Sequence, residues 1–185
     1  VFTNDVYIKI KKIECTANER HIENVTCTLK PLNWTRSVLN MDCDIIGSLE
    51  NVSMRIDLFY RDFMHLYKPF GLHLEYNVCR LLGSGKPLNF LERYSLLHFL
   101  SLTNVNHSCP YMGHLYARNF YLDDLTLPHI PMQEYKISFN FTDLNPMRFL
   151  GALVLHFEVC EDYYGKRKRV KPKPKNEKFV INGYI

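Results

Sequence analysis

The stretch MRFLGALVLHFEVC, Met147 to Cys160, decides the fold class. Phe149, Leu153, Leu155, Phe157 and Val159 share one parity, interrupted only by Gly151, which is the period of an extended strand with one buried face. Leu150, Ala152 and Val154 make its other face apolar as well, so it reads as a central strand. Upstream, EYKISFNFT sets Tyr135, Ile137, Phe139 and Phe141 against Lys136, Ser138 and Asn140. NVSMRIDLFY sets Val52, Met54, Ile56 and Leu58 against Ser53, Arg55 and Asp57, and ENVTCTLK sets Val25, Cys27 and Leu29 against Asn24, Thr26 and Thr28. Val6, Ile8 and Ile10 alternate with Tyr7 and Lys9, and Tyr60, Leu72, Leu74 and Tyr76 continue the inward parity. The chain is therefore expected to be mainly β. One interruption, GSGKP at residues 83–87, places Pro87 where it starts a short helix through LNFLERYSLLHFLSL in the middle of the chain.

The compartment limits what the cysteines do. Cys15, Cys27, Cys43, Cys79, Cys109 and Cys160 contain no C-x-x-C pair, which argues against zinc ribbons and redox motifs. Their scattered spacing suits long-range disulfides in an oxidising compartment. Five N-x-[ST] triplets, at Asn24, Asn33, Asn51, Asn106 and Asn140, exceed the roughly 1.3 that the composition yields by chance, so glycosylation outside the cell is expected. Asn24, Asn51 and Asn140 fall on the polar parity of their strands, where a sugar stays out of the core. Asn33 and Asn106 fall in apparent loops.

A chain of 185 residues with 46% hydrophobic content suits one globular domain. It has no run of about 18 apolar residues, so no transmembrane segment is expected. Its start at Val1 fits a mature secreted product. The formal charge of +4 is local in origin: seven of the 23 basic residues lie in Lys166–Lys175, leaving 16 against 19 acidic residues elsewhere. We therefore expect a domain over residues 1–165 and a solvated basic Lys/Pro tail over 166–185, and no nucleic-acid partner.

Catalytic signatures are missing. NVNHSCPYMGH, residues 104–114, holds His107, Cys109 and His114, but no further ligand at favourable spacing for zinc. Cys109 is expected in a disulfide and the histidines as ordinary surface or packing groups; no metal and no cofactor is expected. G-x-S-x-G, H-E-x-x-H and Walker A motifs do not occur. Asp123 and Asp124 are adjacent and would face opposite ways on a strand, and an even cysteine count leaves no thiol for nucleophilic work. The chain is expected not to be an enzyme. What remains is 24 Phe and Tyr residues, many at inward parity. They either fill the space between two packed sheets or line a cavity between splayed ones, and periodicity does not separate the two.

The ordered set KIEC at Cys15, VTCTLK at Cys27, YKPFGLHLEYNVCRLL past Cys79, LTNVNHSCPY around Cys109 and LPHIPMQEYKISF resembles a large insect family of small secreted proteins. That family includes the fly chemosensory CheB proteins. The likeness runs from about Val6 to Val159, with NHSCPY and NVCRLL its most specific parts. The family is in turn similar to the ML lipid-recognition fold, an immunoglobulin-like antiparallel sandwich whose two sheets open around an apolar cavity. The resemblance implies disulfides Cys15–Cys27, Cys79–Cys109 and Cys43–Cys160; the rival set joins Cys15 to Cys160 and Cys27 to Cys43. Asn77, where the family usually has Asp, and the long basic tail depart from its pattern.

The expected function is thus a secreted, non-enzymatic carrier or presenter of a small hydrophobic ligand, a lipid or hydrocarbon pheromone of chemosensory type, delivered to a membrane receptor. The expected cavity lining is Ile56, Leu58, Tyr60, Leu72, Leu74, Tyr76, Ile137, Phe139, Phe141, Leu153, Leu155 and Phe157. The alternative is an extracellular interaction module with a self-filled core, whose basic tail binds anionic polymers or head groups.

Overall fold

The computed structural model describes residues 6–83, 97, 99–122 and 130–161. Eight strands form: β1 (Val6–Ala17), β2 (Ile22–Pro31), β3 (Ser37–Leu49), β4 (Val52–Arg61), β5 (Tyr67–Asn77), β6 (Tyr111–Phe120), β7 (Glu134–Leu144) and β8 (Met147–Glu161), with a helix α1 (Val78–Gly83) after β5. They make two antiparallel sheets, a five-stranded one of order β1-β8-β7-β4-β5 and a three-stranded one of order β2-β3-β6. The arrangement is β-sandwich-like. As its two apolar faces require, β8 is an inner strand, flanked by β1 and β7.

The sheets face each other through two apolar clusters. The first joins Ile8, Ile10, Leu58, Tyr135, Ile137, Leu155, Phe157 and Val159 of the larger sheet to Leu39 of β3; Tyr135 and Phe157 stack with ring centroids 5.5 Å apart. The second, around Ile45, Leu49, Val52, Tyr111 and Leu150, lies toward the other end, where α1 packs. Asn77 starts α1 by accepting the Arg80 N–H at 3.0 Å, an N-cap that explains why the chain turns helical directly after β5. The helix therefore begins before the GSGKP break. Of the segment expected to be helical from Pro87, residues 97 and 99–101 are helical and the rest lies outside the described residues. The basic tail and the Asp123–Asp124 pair lie outside them too. Gly151 answers to close approach: a Cβ there would stand 2.7 Å from the Thr16 carbonyl oxygen of neighbouring β1.

Cys15–Cys27 fastens β1 to β2 across the two sheets, and Cys79–Cys109 fastens α1 to the segment leading into β6. The expected Cys43–Cys160 bond is not formed; both thiols are free. Parity explains it. Cys43 is buried on the inner face of β3, whereas Val159 is buried on β8 and puts Cys160 on the outer face of the larger sheet. The rival pairing fails as well, because Cys15 and Cys27 bond to each other.

On the outer face of the larger sheet Glu134 bridges strands. It accepts from Lys11 at 2.8 Å and pairs with Arg61, while Lys11 also reaches Glu158 at 2.6 Å. The Lys11 ammonium and then the Arg61 guanidinium hold the Glu134 carboxyl down to about 2. A depressed carboxyl contributes stability above its usual range and loses it as pH falls through the folded value. Glu134→Gln should therefore cost about 1 kcal/mol at pH 7, the scale of a partly exposed network. In urea unfolding that cost should shrink as pH falls below about 4.5 and be lost only below about pH 2.

Candidate functional site: an apolar cavity between the sheets

A cavity of about 180 Å³ lies between the sheets at the α1 end. Met41, Cys43, Ile45 and Leu49 of β3 and Leu115 of β6 form one wall; Val52, Met54, Phe141, Leu150 and Leu153 form the opposite one. Val78, Leu81 and Leu82 of α1, with Phe99, Leu100 and Val105, close a third side. The Cys79–Cys109 bond ties α1 to the chain just before β6 and so anchors that side. Of the hydroxyl-bearing residues at its border, Thr16 and Tyr116 are exposed, which leaves Thr103 and Tyr111. The Tyr111 hydroxyl donates to the His107 carbonyl at 2.9 Å, and burial pushes it up to about 12. The Cys43 thiol is pushed up to about 11 by burial, reinforced by the Asp44 and Asp42 charges. It stays protonated at neutral pH, a poor nucleophile and a good apolar wall. The expectation that no thiol is free is thus corrected, and the inertness of this one rests on its burial.

The residues read from parity divide between the cavity and the packed half. Phe141 and Leu153 line the cavity. Leu58, Ile137, Leu155 and Phe157 sit in the first apolar cluster, with Ile56, Tyr60, Leu72 and Phe139 packed against it. Leu74 and Tyr76 are half-buried on β5 outside both clusters. The missed lining residues come from β3, β6, α1 and residues 99–105. The alternation Leu39, Met41, Cys43, Ile45 against Asn40, Asp42, Asp44 was a readable signal for β3. Nothing in the periodicity says that one end of the sandwich is filled and the other hollow.

The polar groups of residues 104–114 form no metal centre, and no group of three or more potential ligands occurs among the described residues. His114 stands on the outer face of the smaller sheet, with Nδ1 2.7 Å from Asp44 and Nε2 3.0 Å from Asp42. His107 Nδ1 lies 2.7 Å from the Ser108 carbonyl oxygen. Asn24, Asn33 and Asn106 are exposed. Asn51 and Asn140 are half-buried, Asn51 accepting from Asn77 at 2.6 Å and Asn140 donating to Ser138 at 3.0 Å. No described helix is long and apolar enough to cross a membrane.

Fold and site define a mainly β, disulfide-stapled, sandwich-like protein with a partly open apolar cavity between its sheets. Residues 54–137, from β4 into β7 and including α1 with both ends of Cys79–Cys109, match the model of a family described as a protein of unknown function (DUF1091). No curated protein matches the chain.

Proposed function

We propose that this protein is a secreted, non-enzymatic carrier or presenter of a small apolar ligand, CheB-like in family and ML-like in fold. The observation that carries the reading is the cavity, whose walls are built almost wholly of aliphatic, aromatic and sulfur side chains. The two disulfides support an extracellular site of action. A volume of about 180 Å³ suits a guest of roughly six to eight carbons, since apolar cavities of ~150 Å³ hold benzene. Burying about 200 Å² of such a guest is worth about 5 kcal/mol before losses, which caps the affinity near ~0.2 mM and makes millimolar binding the expected scale. A longer hydrocarbon would need the cavity to widen.

The test is native mass spectrometry of the secreted protein, before and after organic extraction and after incubation with straight-chain C6 to C16 hydrocarbons and alcohols. Retention of one small apolar molecule per chain supports the reading. A protein that neither carries nor takes up any of them rules it out.

A further inference from the structure

The outer face of the larger sheet carries an aromatic side chain that strand period alone would have buried. Phe149 shares its sequence parity with Leu153 and Leu155, but β7 and β8 shift register between the pairs Phe141–Gly151 and Thr142–Phe149. The extra residue, Leu150, takes the inner position at 1% exposure, and Phe149 turns outward at 46%. A bulge re-aims a side chain, and this one sets a phenyl ring on the solvent side.

Phe149 borders a polar trough of about 210 Å³, lined also by Ser53, Arg55, Glu75, Asn140 and Thr142. The registers lay it out in two rows. Asn140 pairs with Arg55, which pairs with Glu75; Phe149 pairs with Thr142, which pairs with Ser53. Ser53 is the floor, 5% exposed, and its hydroxyl donates to Glu75 Oε1 at 3.1 Å. Arg55 Nε donates to Asp57 at 3.1 Å, which leaves the terminal nitrogens of this exposed side chain as further donors.

Two of the lining residues belong to one sequon, Asn140-Phe141-Thr142. Asn140 stands on β7, between β8 and β4, so a group attached to its amide lies over this face. Its neighbour on β8 is Ala152, a side chain small enough to leave room. Asn140 Nδ2 gives one hydrogen to Ser138 Oγ at 3.0 Å and has a second position to bond.

We infer that the trough seats the first sugar of a glycan on Asn140, with one face of the sugar ring on Phe149 and its polar rim on Arg55, Glu75 and Thr142. A pyranose suits that arrangement. Its C–H groups make an apolar face for a phenyl ring, and its hydroxyls both accept from a guanidinium and donate to a carboxylate. The bond forms as Asn140 Nδ2 displaces a polyisoprenyl diphosphate from C1 of the donor sugar and loses a proton, a step of the secretory pathway. The inference therefore rests on the secreted part of the carrier reading and not on the cavity.

The experiment uses the full chain secreted from cultured eukaryotic cells. Glycopeptide mass spectrometry should find Asn140 occupied. The folded protein is then digested over time with an amidase that cuts the bond between asparagine and sugar. Glycans on the exposed Asn24, Asn33 and Asn106 should leave first. The Asn140 glycan should leave about tenfold more slowly, because covering roughly 50 Å² of phenyl ring favours the seated sugar by about that factor. Phe149→Ser should bring Asn140 to the rate of the exposed sites, and Phe149→Tyr should keep it slow. Circular dichroism melts that match the parent show both variants folded. An empty Asn140 in a chain glycosylated elsewhere overturns the inference, as does release at the exposed-site rate or slow release that Phe149→Ser leaves unchanged. Slow release that Asn51→Gln abolishes overturns it too, by giving the trough to the neighbouring glycan. A chain secreted without any glycan overturns it as well, whereas failure to hold an apolar guest counts against the cavity alone.

Discussion

Leu155→Ala should destabilise the protein by about 3.5 kcal/mol, while Leu153→Ala, two positions away on the same face of β8, should cost only about 1.5 kcal/mol. Leu155 is 0% exposed among Leu58, Tyr135, Ile137 and Phe157, so truncation opens a void inside close packing. Leu153 already borders the cavity, and its outer carbons lack part of the contact shell that a core leucine has. Identical chemistry with unequal cost is what a sandwich filled at one end and hollow at the other requires. Urea unfolding of both variants at neutral pH measures the difference. Equal costs would mean the cavity wall is packed as tightly as the core.

Leu153→Trp should act on binding instead. An indole in place of an isobutyl group takes up much of a cavity of about 180 Å³, and a benzene-sized guest then has no room. With hexafluorobenzene as the probe and fluorine NMR as the readout, affinity should fall about tenfold or more. The change in stability should stay below about 2 kcal/mol, because the added volume enters empty space and not filled core. Leu58→Met, in the packed half, is the matched control and should leave the affinity unchanged.

These contrasts also mark how far the sequence could be read. Strands β1, β2, β4, β5, β7 and β8 were legible because Ile8/Ile10, Val52/Met54/Ile56/Leu58 and Tyr135/Ile137 alternate cleanly against polar neighbours. Strand β3 alternates as well, Leu39, Met41, Cys43 and Ile45 against Asn40, Asp42 and Asp44, but it was not read as a strand. Strand β6 was hidden because MGHLYARN alternates weakly: exposed Met112 and Tyr116 sit on its outer parity, and Gly113 takes a positive φ of 70°. Without β3 and β6 the second sheet had only β2, so the opposite wall of the cavity could not be drawn.

Inward parity was read correctly for Leu58, Ile137, Leu155 and Phe157, and these residues are core. Parity tells which face a side chain takes. How far along the sandwich the sheets separate depends on α1 and residues 99–105, which the Cys79–Cys109 bond holds at one end. The pairing of Cys43 with Cys160 failed on information already present: Phe157 and Val159 at inward positions commit Cys160 to the other face.

The central claim is that the space among Ile45, Leu115, Phe141 and Leu153 accepts an apolar guest. A crystal of the protein soaked in bromobenzene, with the bromine located by its anomalous scattering, tests this most directly. One ordered bromine in contact with those four side chains is expected. Bromine confined to the molecular surface, with the interior closed by the protein's own side chains, would contradict it.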